Sequence, residues 1–170
     1  MAELLRPRRG GFLRPFGCAE FIRGFLLGSG PNGSPKVDPS IGAPQSDICH
    51  FYKRALMRAT ALDRATRSEE KRARAERRSI EPANIDALAE KYLARMPYKS
   101  WGCRFHSFVV YFSNLQRLGW VEPTGIEEPS AFQDHHPPGP PRRYFRLTEA
   151  GRAAPDTAWR NPRRALYGGQ

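Results

Sequence analysis

The sequence predicts a mainly α-helical fold with a small β-wing, and residues 105–152 carry that prediction. Within this stretch, apolar residues recur at steps of three and four, as they do on one face of an amphipathic helix. They are Phe105, Phe108, Val109, Phe112, Leu115 and Leu118. Gly119 follows, where a left-handed residue often ends a helix. Strand patterns then come at residues 120–122 and 142–147. A helix, a strand, a loop and a strand in this order form the second half of a winged helix-turn-helix domain.

The charge of the chain indicates the class of its partner. The 170 residues include 28 Lys and Arg against 17 Asp and Glu, which gives a formal net charge of +11 at pH 7. Such a balance favours a polyanionic partner, with nucleic acid first and an anionic membrane surface second. The alternative is that the charge only keeps the protein near RNA in the cell.

Cysteine usage and hydropathy bear on the compartment. Cys18, Cys49 and Cys103 are widely spaced, and no two of them form a CxxC pair. This pattern is typical of proteins in a reducing cytoplasm. No apolar run in the sequence reaches the length of a membrane span. We therefore predict a cytoplasmic protein with no membrane partner.

The length of the chain fits one domain with extensions at both ends. We predict a basic flexible arm over residues 1–17, a winged helix-turn-helix domain over residues 18–154 and a tail over residues 155–170. The arm either follows a nucleic-acid backbone or is an unstructured terminus, and the second alternative is favoured. The tail either docks on the core or a second subunit, or it is loosely ordered.

Two helix patterns open the predicted domain. Residues 18–27 have the apolar spacing of a first helix, and residues 44–79 form the longest helical pattern in the chain. The apolar stripe of the long helix comprises Ile48, Phe51, Tyr52, Ala55, Leu56, Ala59 and Leu62. The stripe fades after Ala65, and residues 67–78 are charged on all sides. Such a run is typical of a solvated helix, and a basic surface that touches nucleic acid is the alternative.

Two insertions are predicted within the domain. The first is a helical hairpin over residues 66–96, because Pro82 suits the first turn of a new helix and Pro97 ends it. Its second helix has an apolar face that comprises Ile85, Leu88, Ala89, Tyr92, Leu93 and Met96. This face either packs within the chain or forms a dimer interface. The second insertion is a long, proline-rich wing loop over residues 123–141.

Two segments resemble prokaryotic winged-helix transcriptional regulators of the PadR-like or MarR-like kind. One is Leu-Gln-Arg-Leu-Gly-Trp-Val-Glu at residues 115–122, and the other is Tyr-Phe-Arg-Leu-Thr-Glu-Ala-Gly-Arg at residues 144–152. In those regulators, an aromatic pair followed by Leu-Thr-Glu-Ala-Gly-Arg leads the second wing strand into the next helix. Thr148 is also a suitable N-cap for a helix that starts at Glu149. The resemblance implies a DNA-binding regulator whose recognition helix is residues 104–118.

The predicted DNA-binding residues fall into three groups. Lys99 and Ser100 flank the start of the recognition helix, where cations and helix amides favour phosphate. The helix itself offers polar side chains off its apolar face, and those near its N-terminal end are placed to reach bases. They are Arg104, Ser107, Tyr111, Asn114 and Arg117. The wing offers Arg142, Arg143 and Arg146, which we expect to hold phosphate.

No catalytic set is evident in the sequence. Cys103 and His106 are three residues apart on one predicted helix, but no acid orients them. A zinc site could be assembled from these two with His135 and His136, but it lacks the paired close spacings of a structural site. A metal or thiol sensor built on Cys18, Cys49 and Cys103 is a third reading. We predict no enzymatic activity, no cofactor and no metal.

These observations lead to two functional hypotheses. The first is a sequence-specific transcriptional regulator that binds double-stranded DNA as a homodimer. The second is a winged-helix protein-interaction module within a nucleoprotein complex, which binds a protein partner through the hairpin or the tail. The acidic residues of the wing loop, Glu127, Glu128 and Asp134, support the second hypothesis.

Overall fold

A computed structural model of the chain describes residues 16–100, 104–129 and 140–168. The described residues divide into two compact units. Residues 53–100 form one, which we call the hairpin unit, and the remaining described residues form the sheet unit. The fold is mainly helical with one small antiparallel sheet, which confirms the predicted class. Most of the predicted arm and wing loop lies outside the described residues, as do Cys103, His135 and His136.

The sheet of the described residues has three strands, and two of them fall on the strand patterns of the sequence. Strand β1 spans Ala43–Pro44, β2 spans Val121–Glu128 and β3 spans Arg142–Leu147. Their spatial order is β1-β3-β2, and both pairings are antiparallel. Strand β2 runs much further than the predicted residues 120–122, so the boundary of the wing loop at residue 123 was wrong. The extra length has a physical cause, because Glu127 and Glu128 lie opposite Arg143 and Arg142, and such cross-strand charge pairs stabilise a sheet.

The core of the sheet unit lies between two helices and β3. Helix α1 spans Cys18–Leu26, and helix α4, the fourth in chain order, spans Phe105–Arg117. Helix α1 buries Phe21, Ile22, Phe25 and Leu26, and α4 buries Phe108, Phe112 and Leu115. The rings of Phe112 and Phe145 meet edge to face with centroids 5.0 Å apart. The expected apolar face of α4 is thus confirmed, except that Phe105 is 52% exposed. Phe105 lies in the first turn, and the buried face begins only at Phe108.

The chain leaves α4 through the turn that the sequence predicted. Gly119 has a φ of 73°, and its N–H donates to the carbonyl of Gln116 at 2.9 Å. The N–H of Trp120 donates to the carbonyl of Leu115 at 3.0 Å, which completes a Schellman motif. The glycine therefore closes the helix and directs Trp120 into the core, where its side chain is buried.

The segment after β3 also follows its predicted signals. Helix α5 spans Glu149–Ala153, and the Thr148 hydroxyl accepts the N–H of Gly151 at 3.0 Å as an N-cap. The same hydroxyl donates to the carbonyl of Gly119 at 2.5 Å. A Cβ at Gly151 would lie 2.2 Å from the carbonyl oxygen of Trp120. Glycine is required here because α5 approaches the start of β2 too closely for a side chain.

In the hairpin unit, the long helix α2 meets helix α3. Helix α2 spans Gln45–Glu76, with its first eight residues in the sheet unit, and α3 spans Pro82–Arg95, as the two prolines predicted. Met57, Ala61 and Met96 form a small core, against which Tyr92 and Leu93 pack. The side chain of Leu62 is exposed, so the end of the predicted stripe was wrong. The buried positions step instead by four residues, through Met57, Ala61, Ala65, Glu69 and Ala73.

The charged run over residues 67–78 was expected to be solvated on all sides, but the structure buries part of it. Glu69 is fully buried at the end of the hairpin, and Ala73 is buried one turn later. The Glu69 carboxylate accepts hydrogen bonds from Arg78 at 2.5 and 3.3 Å and from the backbone N–H of Glu81 at 3.2 Å. A charge survives burial there because it is paired and hydrogen-bonded. The remaining faces of the run are exposed and include the ion pair Arg72–Glu76.

Residues 155–168 pack on the core of the sheet unit, which was one of the alternatives predicted for the tail. Helix α6 spans Asp156–Arg160, and α7 spans Pro162–Tyr167. Trp159 is buried, packs against the tilted ring of Trp120 with ring centroids 4.6 Å apart and donates its indole N–H to the carbonyl of Gly151 at 3.0 Å. Arg23 of α1 pairs with Asp156 at 2.5 Å and lies over the Trp159 ring. Among the described residues, no helix has both the length and the apolar character needed to cross a bilayer.

Candidate nucleic-acid interface

A side of α4 next to its buried face carries four of the predicted side chains. Ser107, Tyr111, Asn114 and Arg117 follow one another at steps of three and four and therefore share one side of the helix. Ser107, Tyr111 and Arg117 are exposed, and Asn114 is half-buried. Because the side chains of Phe108, Phe112 and Leu115 fix the rotation of α4 in the core, this polar face has a defined orientation.

A groove of about 540 Å³ runs along this face. Its walls come from α1, α4 and the segment from the end of α6 to α7. Ile22 and Leu115 form an apolar floor, and Arg160 and Arg163 supply cationic groups. The other lining residues are Ala19, His106, Ser107, Val110, Tyr111, Asn114, Asn161, Pro162 and Tyr167. The groove thus combines the predicted α4 side chains with residues of the tail that had not been assigned to any site.

Helix α7 contacts the end of the polar α4 face. The Arg117 guanidinium donates to the Tyr167 hydroxyl at 2.7 Å and lies 5.5 Å from the centre of the tyrosine ring. Fifty residues separate the two side chains in the sequence, and no local pattern announces the pairing. The only available signal was an aromatic residue within an arginine-rich tail.

The three arginines that the sequence assigned to a wing each face at least one carboxylate. Arg146 lies 3.0 Å from Glu122, and Arg143 lies 3.5 Å from Glu127. Arg142 binds Asp47 of α2 at 2.6 Å and also pairs with Glu128. The side chain of Arg142 is 26% exposed and that of Arg143 is 66% exposed. A phosphate could reach Arg143 easily, whereas at Arg142 it would have to displace two carboxylates.

The carboxylate of Glu128 belongs to a local network that favours its ionised form. The Tyr144 hydroxyl donates to it at 2.8 Å, and this hydrogen bond, together with Arg142, lowers the pKa of Glu128. The same hydrogen bond raises the pKa of Tyr144. The network ties β3 to β2 and, through Asp47, to the start of α2. Its geometry gives Arg142 a structural role in addition to any contact with a ligand.

The remaining predicted residues belong to neither of these two groups. Arg104 is exposed at the N-cap position of α4. Lys99 is exposed in the short turn Tyr98–Ser100, which belongs to the hairpin unit, and the side chain of Ser100 lies outside the described part of the structure. Sequence reasoning missed Arg163 and Arg164 as site residues. Both are exposed on α7, and neither side chain forms an ion pair with another described residue.

Within the described ranges 16–100, 104–129 and 140–168, no three His, Cys, Asp or Glu side chains are grouped so that they could hold a metal ion. Cys49 is buried and Cys18 is half-buried. The other residues of the hypothetical zinc site, apart from the exposed His106, lie outside these ranges.

Comparison of the chain with protein-family models, with curated proteins and with solved structures found no match in any of the three.

Proposed function

We propose that the chain is a winged helix-turn-helix protein that binds double-stranded DNA sequence-specifically and regulates transcription. The order of elements supports this, since α1, β1, α2, α4, β2 and β3 occur in this order, with α3 inserted between α2 and α4, and the sheet order is β1-β3-β2. The observation that carries the proposal is the geometry of α4. One face of this helix is buried in the core, and an adjacent face carries Ser107, Tyr111, Asn114 and Arg117 on successive turns.

Within this proposal, the two arginine-bearing elements act differently. Side chains near the start of α4, such as Arg104 and Ser107, reach base edges, because the N-terminal part of a recognition helix enters the groove most deeply. The wing arginines hold phosphate. Arg143 is the most available of them for phosphate, because its ion pair with Glu127 is long and exposed. Such surface pairs contribute at most about 1 kcal/mol to stability.

The functional state we propose is a homodimer formed through the hairpin unit. Helix α3 buries none of its residues fully, and its apolar residues Ile85, Leu88 and Leu93 stay half-buried. Leu62 and Ile80 are exposed in the same unit. A second copy would cover this surface. Light scattering of the purified chain and of a Leu62→Asp, Ile80→Asp variant tests this, and equal masses at the monomer value for both would refute it.

One observation favours a second candidate, a protein-interaction module. The polar face of α4 already has an intramolecular neighbour in α7, and every wing arginine already has a carboxylate partner. Both features reduce the cationic surface that is open to DNA. In that case the groove between α4 and α7 would receive a segment of a partner protein.

Selection of sheared DNA by the purified chain near physiological salt, followed by sequencing, separates the two candidates. At such ionic strength nonspecific binding is weak while specific contacts survive. We expect enrichment of a palindrome whose half-sites are about one helical turn apart. Binding without enrichment, and with complete loss as salt rises, would refute a sequence-specific regulator.

Matched variants then assign the contact residues. Arg143→Ala should weaken all sequences alike and reduce the slope of log affinity against log salt by about one unit, since one phosphate contact is lost. Ser107→Ala, near the start of α4, should instead lower affinity for the selected site more than for random DNA. Lys36→Ala, which removes one exposed charge from the loop before β1, is the control and should leave both values unchanged.

A further inference from the structure

Helix α7 lies along the α4 face to which we have assigned DNA contact. The groove is bounded by Ser107, Tyr111 and Asn114 on one side and by Pro162, Arg163 and Tyr167 on the other. Tyr167 also binds Arg117 directly. Four of the side chains proposed for DNA therefore border or contact α7.

The dimensions of the two helices and of DNA make this neighbour an obstacle. An α-helix with its side chains is about 10–12 Å across. The major groove of B-DNA is about 12 Å wide and admits one helix. Helices α4 and α7 side by side exceed that width. While α7 stays in place, the side of α4 that carries Tyr111 and Asn114 cannot enter the groove fully.

Helix α7 is attached much less firmly than α6, which precedes it. None of the residues of α7 is buried, and the Tyr167 ring is 52% exposed. Trp159 of α6, by contrast, is 1% exposed and is held by a hydrogen bond and by the Trp120 ring. Asn161 lies between the two helices and caps α7 through the N–H of Arg164 at 3.1 Å. The chain can therefore open at Asn161 while α6 remains docked.

We propose that α7 is a displaceable cover of the DNA-binding face of α4, so that α7 and duplex DNA compete for the same surface. This inference rests on the proposed function. Displacement frees Arg117 from Tyr167 and moves Arg163 away from the groove. The apparent affinity for DNA is then the intrinsic affinity multiplied by the fraction of molecules in which α7 is undocked.

The test substitutes Tyr167 and leaves every arginine in place. The probe is a fluorescently labelled duplex that carries the sequence enriched in the selection. Tyr167→Ala should raise affinity, and the increase is about tenfold if α7 covers α4 in about nine molecules of ten. Tyr167→Phe, which keeps the ring but loses the hydroxyl, should give a smaller increase. Ile41→Ala removes an exposed apolar side chain before β1 and should change nothing.

Hydrogen exchange of the backbone amides provides a readout that is independent of affinity. In the wild-type chain, DNA should slow exchange at the surface of α4 and accelerate exchange over residues 162–168. Unchanged or weaker binding by Tyr167→Ala, or slower exchange in α7 on DNA binding, would overturn the cover and make α7 an additional DNA contact. Absence of binding by every variant, even at low salt, would overturn the proposed function itself and the cover with it.

Discussion

The Glu69 carboxylate and the Arg78 guanidinium, joined at 2.5 Å, hold the end of the α2–α3 hairpin together. The hydrogen bond from Arg78 is the main reason that the pKa of Glu69 falls from its usual 4.5 to about 2. The N–H of Glu81 and the amide of Asn84, at 3.2 and 3.4 Å, add to this effect. One buried acid thus connects the end of α2, the turn and the start of α3.

This pairing predicts a specific dependence of stability on pH. The folded state binds the Glu69 proton more weakly than the unfolded state does, so ionised Glu69 stabilises the fold at all pH values above about 4.5. That contribution is lost as pH falls from about 4.5 towards 2. We expect the unfolding temperature of Glu69→Gln to be well below that of wild type at pH 7. The difference should shrink as pH falls from about 4.5 towards 2.

Glu70→Gln is the control for this measurement, because the neighbouring Glu70 is exposed. Its unfolding temperature should follow that of wild type at every pH. A difference between Glu69→Gln and wild type that stays constant down to pH 2 would show that Glu69 acts only through packing.

Arg77 offers a stabilising substitution at the end of α2. Its φ of 51° lies in the left-handed region, and the N–H of Arg78 donates to the carbonyl of Ala73 at 3.0 Å, as in a glycine-terminated helix. A non-glycine residue in this conformation costs about 1 kcal/mol. Arg77→Gly should therefore raise the free energy of unfolding, measured by urea denaturation, by up to about 1 kcal/mol.

The matched control is Arg74→Gly, one turn earlier and also exposed. Glycine inside a helix destabilises it by about 1 kcal/mol relative to a good helix former. The two substitutions should consequently have opposite signs. The same sign for both would mean that the left-handed end of α2 is not populated in solution.

The contrast between Trp159 and Tyr167 gives a third prediction. Trp159→Ala removes a fully buried indole and its hydrogen bond to Gly151, and it should lower the free energy of unfolding by about 4 kcal/mol. Tyr167→Ala removes a half-exposed ring and should cost less than about 1 kcal/mol. Equal losses in chemical denaturation would contradict the view that α6 is the anchor and α7 its loosely attached extension.

Substitution of Arg142 and of Arg143 should have different effects on stability and on DNA affinity. Arg142→Ala leaves Asp47 and Glu128 facing each other without a cation and should lower stability by about 2 kcal/mol. Arg143→Ala removes one long, exposed pair and should change stability by less than about 0.5 kcal/mol. Denaturation of both variants, compared with their DNA affinity, tests this division. A stable Arg142→Ala with weakened DNA binding would show that Arg142 contributes to binding alone and has no structural role.

Local signals in the sequence predicted the parts of the fold that depend on near neighbours. Gly119 at the end of α4, Thr148 at the start of α5 and Pro82 in the first turn of α3 each act within a few residues. The apolar spacing of α4 likewise identified its buried face from Phe108 onwards. These features follow from backbone conformation and helical periodicity, which the sequence contains directly.

Features that join distant segments could not be predicted in the same way. The burial of Glu69 depends on Arg78 and Asn84 beyond the end of its helix, whereas composition alone indicated a solvated run. The groove beside α4 exists because Trp159 fixes α6 on the core and brings α7 alongside. The carboxylates opposite Arg142 and Arg143 depend on the register of β2 and β3, and much of the loop between these strands lies outside the described residues.

The close approach of Gly151 to the carbonyl of Trp120 changes the meaning of the Leu-Thr-Glu-Ala-Gly-Arg segment. Its threonine caps a helix, its leucine fills the core and its glycine makes room for a neighbouring backbone. All three requirements come from folding, and none involves a nucleic acid. A chain can therefore keep this segment intact and have no affinity for DNA, so the segment serves as a signature of architecture. Under the proposed function, substitutions that change DNA binding would instead fall at Ser107, Tyr111, Asn114 and in α7.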